Sequence, residues 1–398
     1  MPGKRILYVA PCWPDEKTFG TQLRVENIAR ALKHVGEVRV VVVRFDDDGE
    51  RAHHAVGSDS EVVDFVELKV APARSFASTL QCGLDANYIS VHGQVIDPAA
   101  RDRVIALSKE FDLIWLHHLF VANAFGVGRW NNSVMDIDDV PSLRERSIAR
   151  NGESLRQRGR ATLRMVSAKR REARFPERFD VLSVCSERDR GYLNLNMPVH
   201  VIPNGFQVPK TESTRLPFDP PRIGFVGGFN YPPNVEGVRW FLDQCWNRIR
   251  TRIPRARFRL VGRGTEAVAF TGDADVDALG WLSDTAEEIA SWSAMIVPIR
   301  EGSGTRVKIA EGFARKCPIV STSLGAYGYD LESGRELLLA DSAEAFAAAC
   351  VQLIEDPLAA SAMSDRGYRM FLENFSWEAI SPRVWATAED CLRRTHNG

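Results

Sequence analysis

RIGFVGGFNYPPNVEGVRWF, residues 222–241, reads as one complete unit of an α/β fold. RIGFVGG (222–228) is a short apolar run with no polar alternation, the pattern of a strand covered on both faces. FNYPP then turns the chain, and a helical pattern runs from Asn234 to Arg252. The same unit recurs downstream. ARFRLVG (256–262), DVDALGW (275–281), SAMIVPI (293–299) and CPIVSTS (317–323) read as strands, and Thr305–Lys316 as a second notable helix.

An equivalent series precedes it. RILYVA (5–10), EVRVVVV (37–43), DLIWLH (112–117), NSVMDID (132–138) and FDVLSVC (179–185) are strand-like. Helical patterns run from Leu23 to Val35 and from about Ser142 to Phe175. HVIPNGF (200–206) leads into KTESTRLPFDPPR (210–222), a segment rich in Pro, Ser and Thr that reads as a linker. Two successive βαβ series predict two Rossmann-like doubly wound domains facing each other. The boundaries are 1–205 and 206–375, with a helical tail (376–398) whose stripe is Trp377, Ile380, Val384 and Trp385.

Composition narrows the function. The 398 residues suffice for two ordinary domains, and 44% apolar with 26% charged residues describes a soluble globular chain. A formal net charge of -1 argues against bulk nucleic-acid binding. The seven cysteines are dispersed, without a CxxC pair or a cluster at metal spacing, which suggests reduced thiols and a cytoplasmic location. MPGKRILYVAPCWP reads as a first strand rather than a leader. No apolar run approaches the ~20 residues of a membrane span.

In open α/β sheets, ligands bind beyond the carboxyl ends of the strands. EGSGTRVKIAEGFA (301–314) lies there, with an open Gly-Ser-Gly loop before a helix. Helix N-termini offer unpaired N–H groups and the positive dipole end. The dipole alone contributes ~0.3–1 kcal/mol, so a diphosphate needs added cations, and Arg306 and Lys308 supply them. Glu311, one turn beyond Lys308, suits ribose hydroxyls. The competing reading is a Gly-capped surface helix with solvated charges. GFVGGFNYPP (224–233) and LVGRG (260–264) add two more Gly-bearing loops at strand ends of the same sheet.

IPNGF (202–206), FVGGFNYPPNVEGVRWF (225–241), LVGRG (260–264), LGWLSD (279–284) and GSGTRVKIAEGFA (302–314) resemble the donor domain of GT-B glycosyltransferases of family four, the group 1 type. The resemblance spans nearly the whole chain and is strongest from about 180 to 340. It implies two Rossmann-like domains across a cleft, with a C-terminal helix crossing back to the first. It also implies a nucleotide-diphosphate sugar donor, an acceptor hydroxyl, retention of configuration and no required cofactor or metal. Carried over residue by residue, Gly20, Gly227, Gly228, Gly262, Trp281, Ser303, Gly304, Thr305 and Glu311 hold the nucleotide sugar. Arg306, Lys308 and His117 serve the chemistry, and Arg24 joins Gly20 near the phosphate. The family usually has two glutamates eight positions apart; here Ser303 stands in the first place. GGFNYPP also lacks the usual Arg and Lys, a gap that Arg306 and Lys308 would fill. The same fold serves hydrolysing nucleotide-sugar 2-epimerases and non-catalytic sugar-nucleotide-binding proteins, which stay open as alternatives.

Two features admit other readings. DIDD (136–139) could hold Mg²⁺ or Mn²⁺ with a donor, or Asp136 and Asp138 could position the acceptor or cap a helix. From Arg144 to Arg178, twelve Arg/Lys face four Glu. That run is either a solvated helical face or a basic surface toward anionic lipid or a polyprenyl-diphosphate acceptor, which would place the protein peripherally at a membrane.

Overall fold

The computed structural model describes residues 3–13, 20–45, 61–70, 85, 94–152, 154–210, 215, 218–265, 274–302 and 304–396. The chain forms two compact units: residues 1–203 with 380–398, and residues 204–379.

The first unit holds strands β1 (Lys4–Ala10), β2 (Gly36–Phe45), β3 (Glu61–Val70), β4 (Gln94–Ile96), β5 (Leu113–His117), β6 (Ser133–Ile137), β7 (Val181–Val184) and β8 (Val199–Val201). Their order is β4-β3-β2-β1-β5-β6-β7-β8, parallel except for β4. Every residue of β5, β6 and β7 is buried, as helices on both faces of a parallel sheet require. From β1 the chain builds outward to β4, then returns to lay β5 on the other side of β1. The carboxyl ends of β1 and β5 therefore flank a topological switch point, where doubly wound sheets bind ligands. The Trp377–His396 helix enters this unit from Ile380 onward, and Trp385 Nε1 donates to the Ala31 carbonyl at 2.8 Å.

The second unit holds β9 (Arg222–Val226), β10 (Arg257–Val261), β11 (Val276–Ala278), β12 (Ala294–Val297), β13 (Ile319–Ser321) and β14 (Leu338–Leu339). Their order is β11-β10-β9-β12-β13-β14, with all the pairings parallel. The period of two along β12 divides its side chains between two cores. Ala294 and Ile296 pack with Phe225, Phe241 and Phe258; Met295 and Val297 pack with Ile309, Phe313 and Phe371. Here the switch point lies between β9 and β12.

Several expectations are corrected. The helix expected from Ser142 to Phe175 is divided into Pro141–Asn151 and Leu155–Glu172, followed by a four-residue turn of helix at Phe175–Arg178. Gly152 ends the first piece with an extended ψ of 144, and Ser154 caps the second by accepting from Gln157 N at 3.2 Å. β3, β4 and the Pro98–Ser108 helix are additional to the elements read from sequence. The helix expected at Thr305–Lys316 begins at Val307. Of the expected linker, residues 211–214 and 216–217 lie outside the described residues.

Candidate active site

Three loops leave the carboxyl ends of adjacent strands β10, β9 and β12. Glycine is demanded at the first two by close approach. A Cβ on Gly262, whose φ is +140, would sit 2.0 Å from the Gly227 carbonyl oxygen. A Cβ on Gly227 would come within 2.8 Å of Asn234 Nδ2 and 3.2 Å of Lys308 Nζ. The two turns are stacked, with Gly227 N donating to Val261 O and Gly262 N to Gly280 O. Asn234 ties the first loop to its helix: its Nδ2 donates to Gly228 O at 2.7 Å.

The third loop feeds the Val307–Ala314 helix. Arg306 is its N-cap, and its side chain, which has no acceptor, caps none of the first-turn N–H groups. The leading N–H groups of a helix lack intrahelical partners and carry the dipole's positive end. Gly304 takes φ +74, a left-handed conformation that suits glycine. Thr305 is buried and clamped by Asn204, whose backbone N donates to Thr305 Oγ1 and whose Nδ2 donates to Thr305 O. Tyr329 OH donates to Arg306 O at 2.9 Å, while Arg306 Nη2 reaches Glu301 O at 3.4 Å. Ser303 lies outside the described residues.

Lys308 Nζ donates to Asn234 Oδ1 at 2.8 Å and lies 4.2 Å from the centre of the Phe225 ring. Burial, with Arg306 nearby, pushes its ammonium down to about 7; Glu311 opposes this. Glu311 is buried and accepts from Thr285 Oγ1 at 2.7 Å. Burial raises its carboxyl above the ordinary range, while Thr285, Arg315 and Lys308 hold it back. A lysine and a glutamate are therefore held in a poorly hydrated setting beside a helix N-terminus. Such an arrangement can bind an anion at the tip and hydroxyl groups at the carboxylate. Trp281 is 52% exposed at the β11 end, 5.6 Å from the Arg263 guanidinium. Asn234 and Thr285 were not singled out from sequence; nothing in their residue type marks them, because their roles come from contacts across the sheet.

A second cluster lies at the switch point of the first unit. Here the reading of Arg24 as a residue near the phosphate is corrected. It is 1% exposed and grips Asp136 with Nη2 at 2.6 Å and Nε at 3.1 Å, while Nη1 donates to Ile202 O and Pro203 O. Asp136 also meets His117 Nδ1 at 2.8 Å and Ser183 Oγ at 2.6 Å, so it neither caps a helix nor reaches solvent. Arg24 and His117 hold its carboxyl well below the usual range despite burial. His117 is fully buried, which lowers its own pKa, and its Nε2 has no hydrogen-bond partner among the described residues.

His118 differs from its neighbour. It has φ +69, a strained conformation for a residue with a side chain, and pairs with Asp138 at 2.8 Å. Burial works to lower its pKa, but Asp138 outweighs it and the net shift is upward. His117, His118 and Asp138 bring ligating atoms within 4.8 Å of one another, a donor set of the kind that accepts Zn²⁺ or Mn²⁺. Gly20 opens the Gly20–Leu32 helix in the same unit.

Residues 220–356 match the family model described as glycosyl transferases group 1. With two doubly wound sheets of this order, the chain has the GT-B fold. It resembles sucrose-phosphate synthase of Thermosynechococcus elongatus, at 17% identity and a TM-score of 0.73, covering 98% of this chain and 100% of that one. It also resembles HepE of Anabaena in complex with UDP-glucose, at 14% identity and a TM-score of 0.62, covering 97% and 100%. Among curated proteins, none matches it by sequence.

Proposed function

We propose that the chain transfers a hexose from a nucleoside diphosphate sugar to an acceptor hydroxyl, with retention of configuration and without a metal ion. The observation that carries this is the placing of Lys308, held by Asn234, and Glu311, held by Thr285, beside the N-terminal tip of the Val307–Ala314 helix. The HepE structure, with UDP-glucose bound, favours a uridine diphosphate sugar as the donor.

In this reading the diphosphate sits against Gly227, Gly228 and Gly262, where a side chain would block it. Charge grows on the leaving phosphate as the glycosidic bond breaks. Arg306, Lys308 and the amides of Gly304 and Thr305 receive it, acting most strongly because they are fixed beforehand in a poorly hydrated place. Glu311 accepts from the ribose hydroxyls, and Trp281 borders the base. His117, held by Asp136 with Nδ1–H toward the carboxylate, keeps Nε2 as an acceptor for a sugar hydroxyl. The enzyme works in the cytoplasm in glycan or glycoconjugate synthesis, and the 144–178 segment brings it to a membrane that carries the acceptor.

Calorimetry with UDP tests the donor assignment. Charge-assisted hydrogen bonds contribute ~1.5–3 kcal/mol each, so Glu311→Ala weakens binding at least about tenfold with the fold intact. Transfer from UDP-glucose persists in excess EDTA. Unchanged UDP affinity in Glu311→Ala overturns the ribose role; activity lost in EDTA and restored by Mn²⁺ moves the chemistry to His117, His118 and Asp138.

A further inference from the structure

The Leu155–Glu172 helix, LRQRGRATLRMVSAKRRE, is amphipathic twice over. One face is turned into the unit: Ala161 and Glu172 are buried, and Glu172 accepts from Ser142 N and Oγ at 2.8 and 2.6 Å. The opposite face exposes three large apolar side chains, Leu155 at 84%, Leu163 at 65% and Val166 at 49%. At 3.6 residues per turn, these three lie within about 80° of one another. They form a single stripe rather than scattered exposure. Arg156, Arg160 and Arg164 run along one edge, Arg158 and Lys169 along the other, and Arg170 lies within the stripe near its C-terminal end. Among the described residues, Arg156, Arg160, Arg164 and Arg170 form no ion pair.

A merely solvated basic helix has no use for an exposed Leu-Leu-Val stripe, which carries a hydration penalty. A nucleic acid would use the cations but leave the stripe wet. A second copy of the chain would bring one arginine edge against another. A surface with acyl chains below and phosphates around them satisfies both features. We infer that the Leu155–Glu172 helix docks in the plane of an anionic lipid bilayer, with Leu155, Leu163 and Val166 in the acyl boundary and the flanking arginines on lipid phosphates. This deepens the membrane contact proposed above and rests on that reading, but not on any choice of donor or acceptor.

The test is co-sedimentation of the full-length protein with two kinds of vesicle, phosphatidylcholine alone and phosphatidylcholine mixed with phosphatidylglycerol. The expected result is binding to the anionic vesicles only, weakening as salt is raised, because surface charge is screened. Leu163→Glu with Val166→Glu lowers the partition coefficient by an order of magnitude or more. Arg156→Gln with Arg160→Gln lowers it about thirtyfold and flattens the salt dependence. All four side chains are exposed, so circular dichroism and UDP affinity stay unchanged. No binding to anionic vesicles, or equal binding by wild type and the Leu163/Val166 variant, overturns the inference. So does a dimer seen by light scattering in wild type and lost in that variant, which would assign the stripe to self-association. Loss of UDP affinity in Glu311→Ala with vesicle binding intact separates the donor site from this surface.

Discussion

Lys308 shows how one side chain links burial to function. A free lysine titrates at ~10.4, whereas Lys308 is pushed down to about 7. Between those values the unfolded chain holds a proton that the folded chain lacks. Stability therefore rises with pH through that window, and below 7 the penalty of holding the charged ammonium is fully present. A bound diphosphate reverses the preference, because it favours the ammonium. UDP binding above pH 7 thus takes up a proton, and affinity falls as pH rises further. Calorimetry in buffers of different ionisation enthalpy reads this uptake directly; Lys308→Ala abolishes it, and pH-independent binding by wild type separates Lys308 from the phosphate. Asp136 makes the complementary case. Removing one partner of a buried ion pair costs ~3–5 kcal/mol, since the other charge is left without compensation. Asp136→Ala strands the Arg24 guanidinium at 1% exposure. Urea unfolding of the first unit shows a loss of that size, and a loss below ~1 kcal/mol contradicts the burial of the pair.

Elements explain what could and could not be read from the sequence. β1, β5, β9 and β12 were legible because central parallel strands are near-continuous apolar runs. β3 was not: EVVDFVELKV alternates, with Phe65 42% exposed, as suits a strand nearer the edge of the sheet. The break at Gly152 was hidden by the charge run around it. The glycine loops at 227 and 262 were legible as loops, but their mutual contact was not, since two turns 35 residues apart meet only once β9 and β10 pair. That contact supports a prediction. Gly262→Ala places a methyl group 2.0 Å from a backbone oxygen at φ +140, so both loops must shift. Backbone strain alone costs ~1–3 kcal/mol, and the clash adds to it. Gly334→Ala serves as the comparison in the same unit, at φ +87 with nothing within 4 Å of the new carbon. Urea midpoints fall further for Gly262→Ala, and UDP affinity falls in that variant alone. Equal losses in both would mean that the loop contact is easily relieved.

At the scale of the molecule, a net charge of -1 conceals the basic run that supplies Leu155–Glu172, and two separately closed sheets divide the proposed chemistry. Every group assigned to the diphosphate and ribose, apart from Gly20, belongs to residues 204–379. Each unit has its own core, so a nucleotide that engages only those groups stabilises the second unit directly. The gain follows RT ln(1 + [L]/Kd), about 2.7 kcal/mol at a hundredfold excess over Kd. Hydrogen exchange read by mass spectrometry resolves where it falls. With UDP, protection rises at the carboxyl ends of β9, β10 and β12 and through Val307–Ala314. Amides of β6 and β7 stay as they were, because the Asp136 network that orders their ends is complete without ligand. Adding UDP-glucose extends protection to His117 and His118 if the orphan Nε2 of His117 takes a sugar hydroxyl. Protection confined to the second unit with both ligands would remove His117 from the reaction and leave it as the inner partner of Asp136.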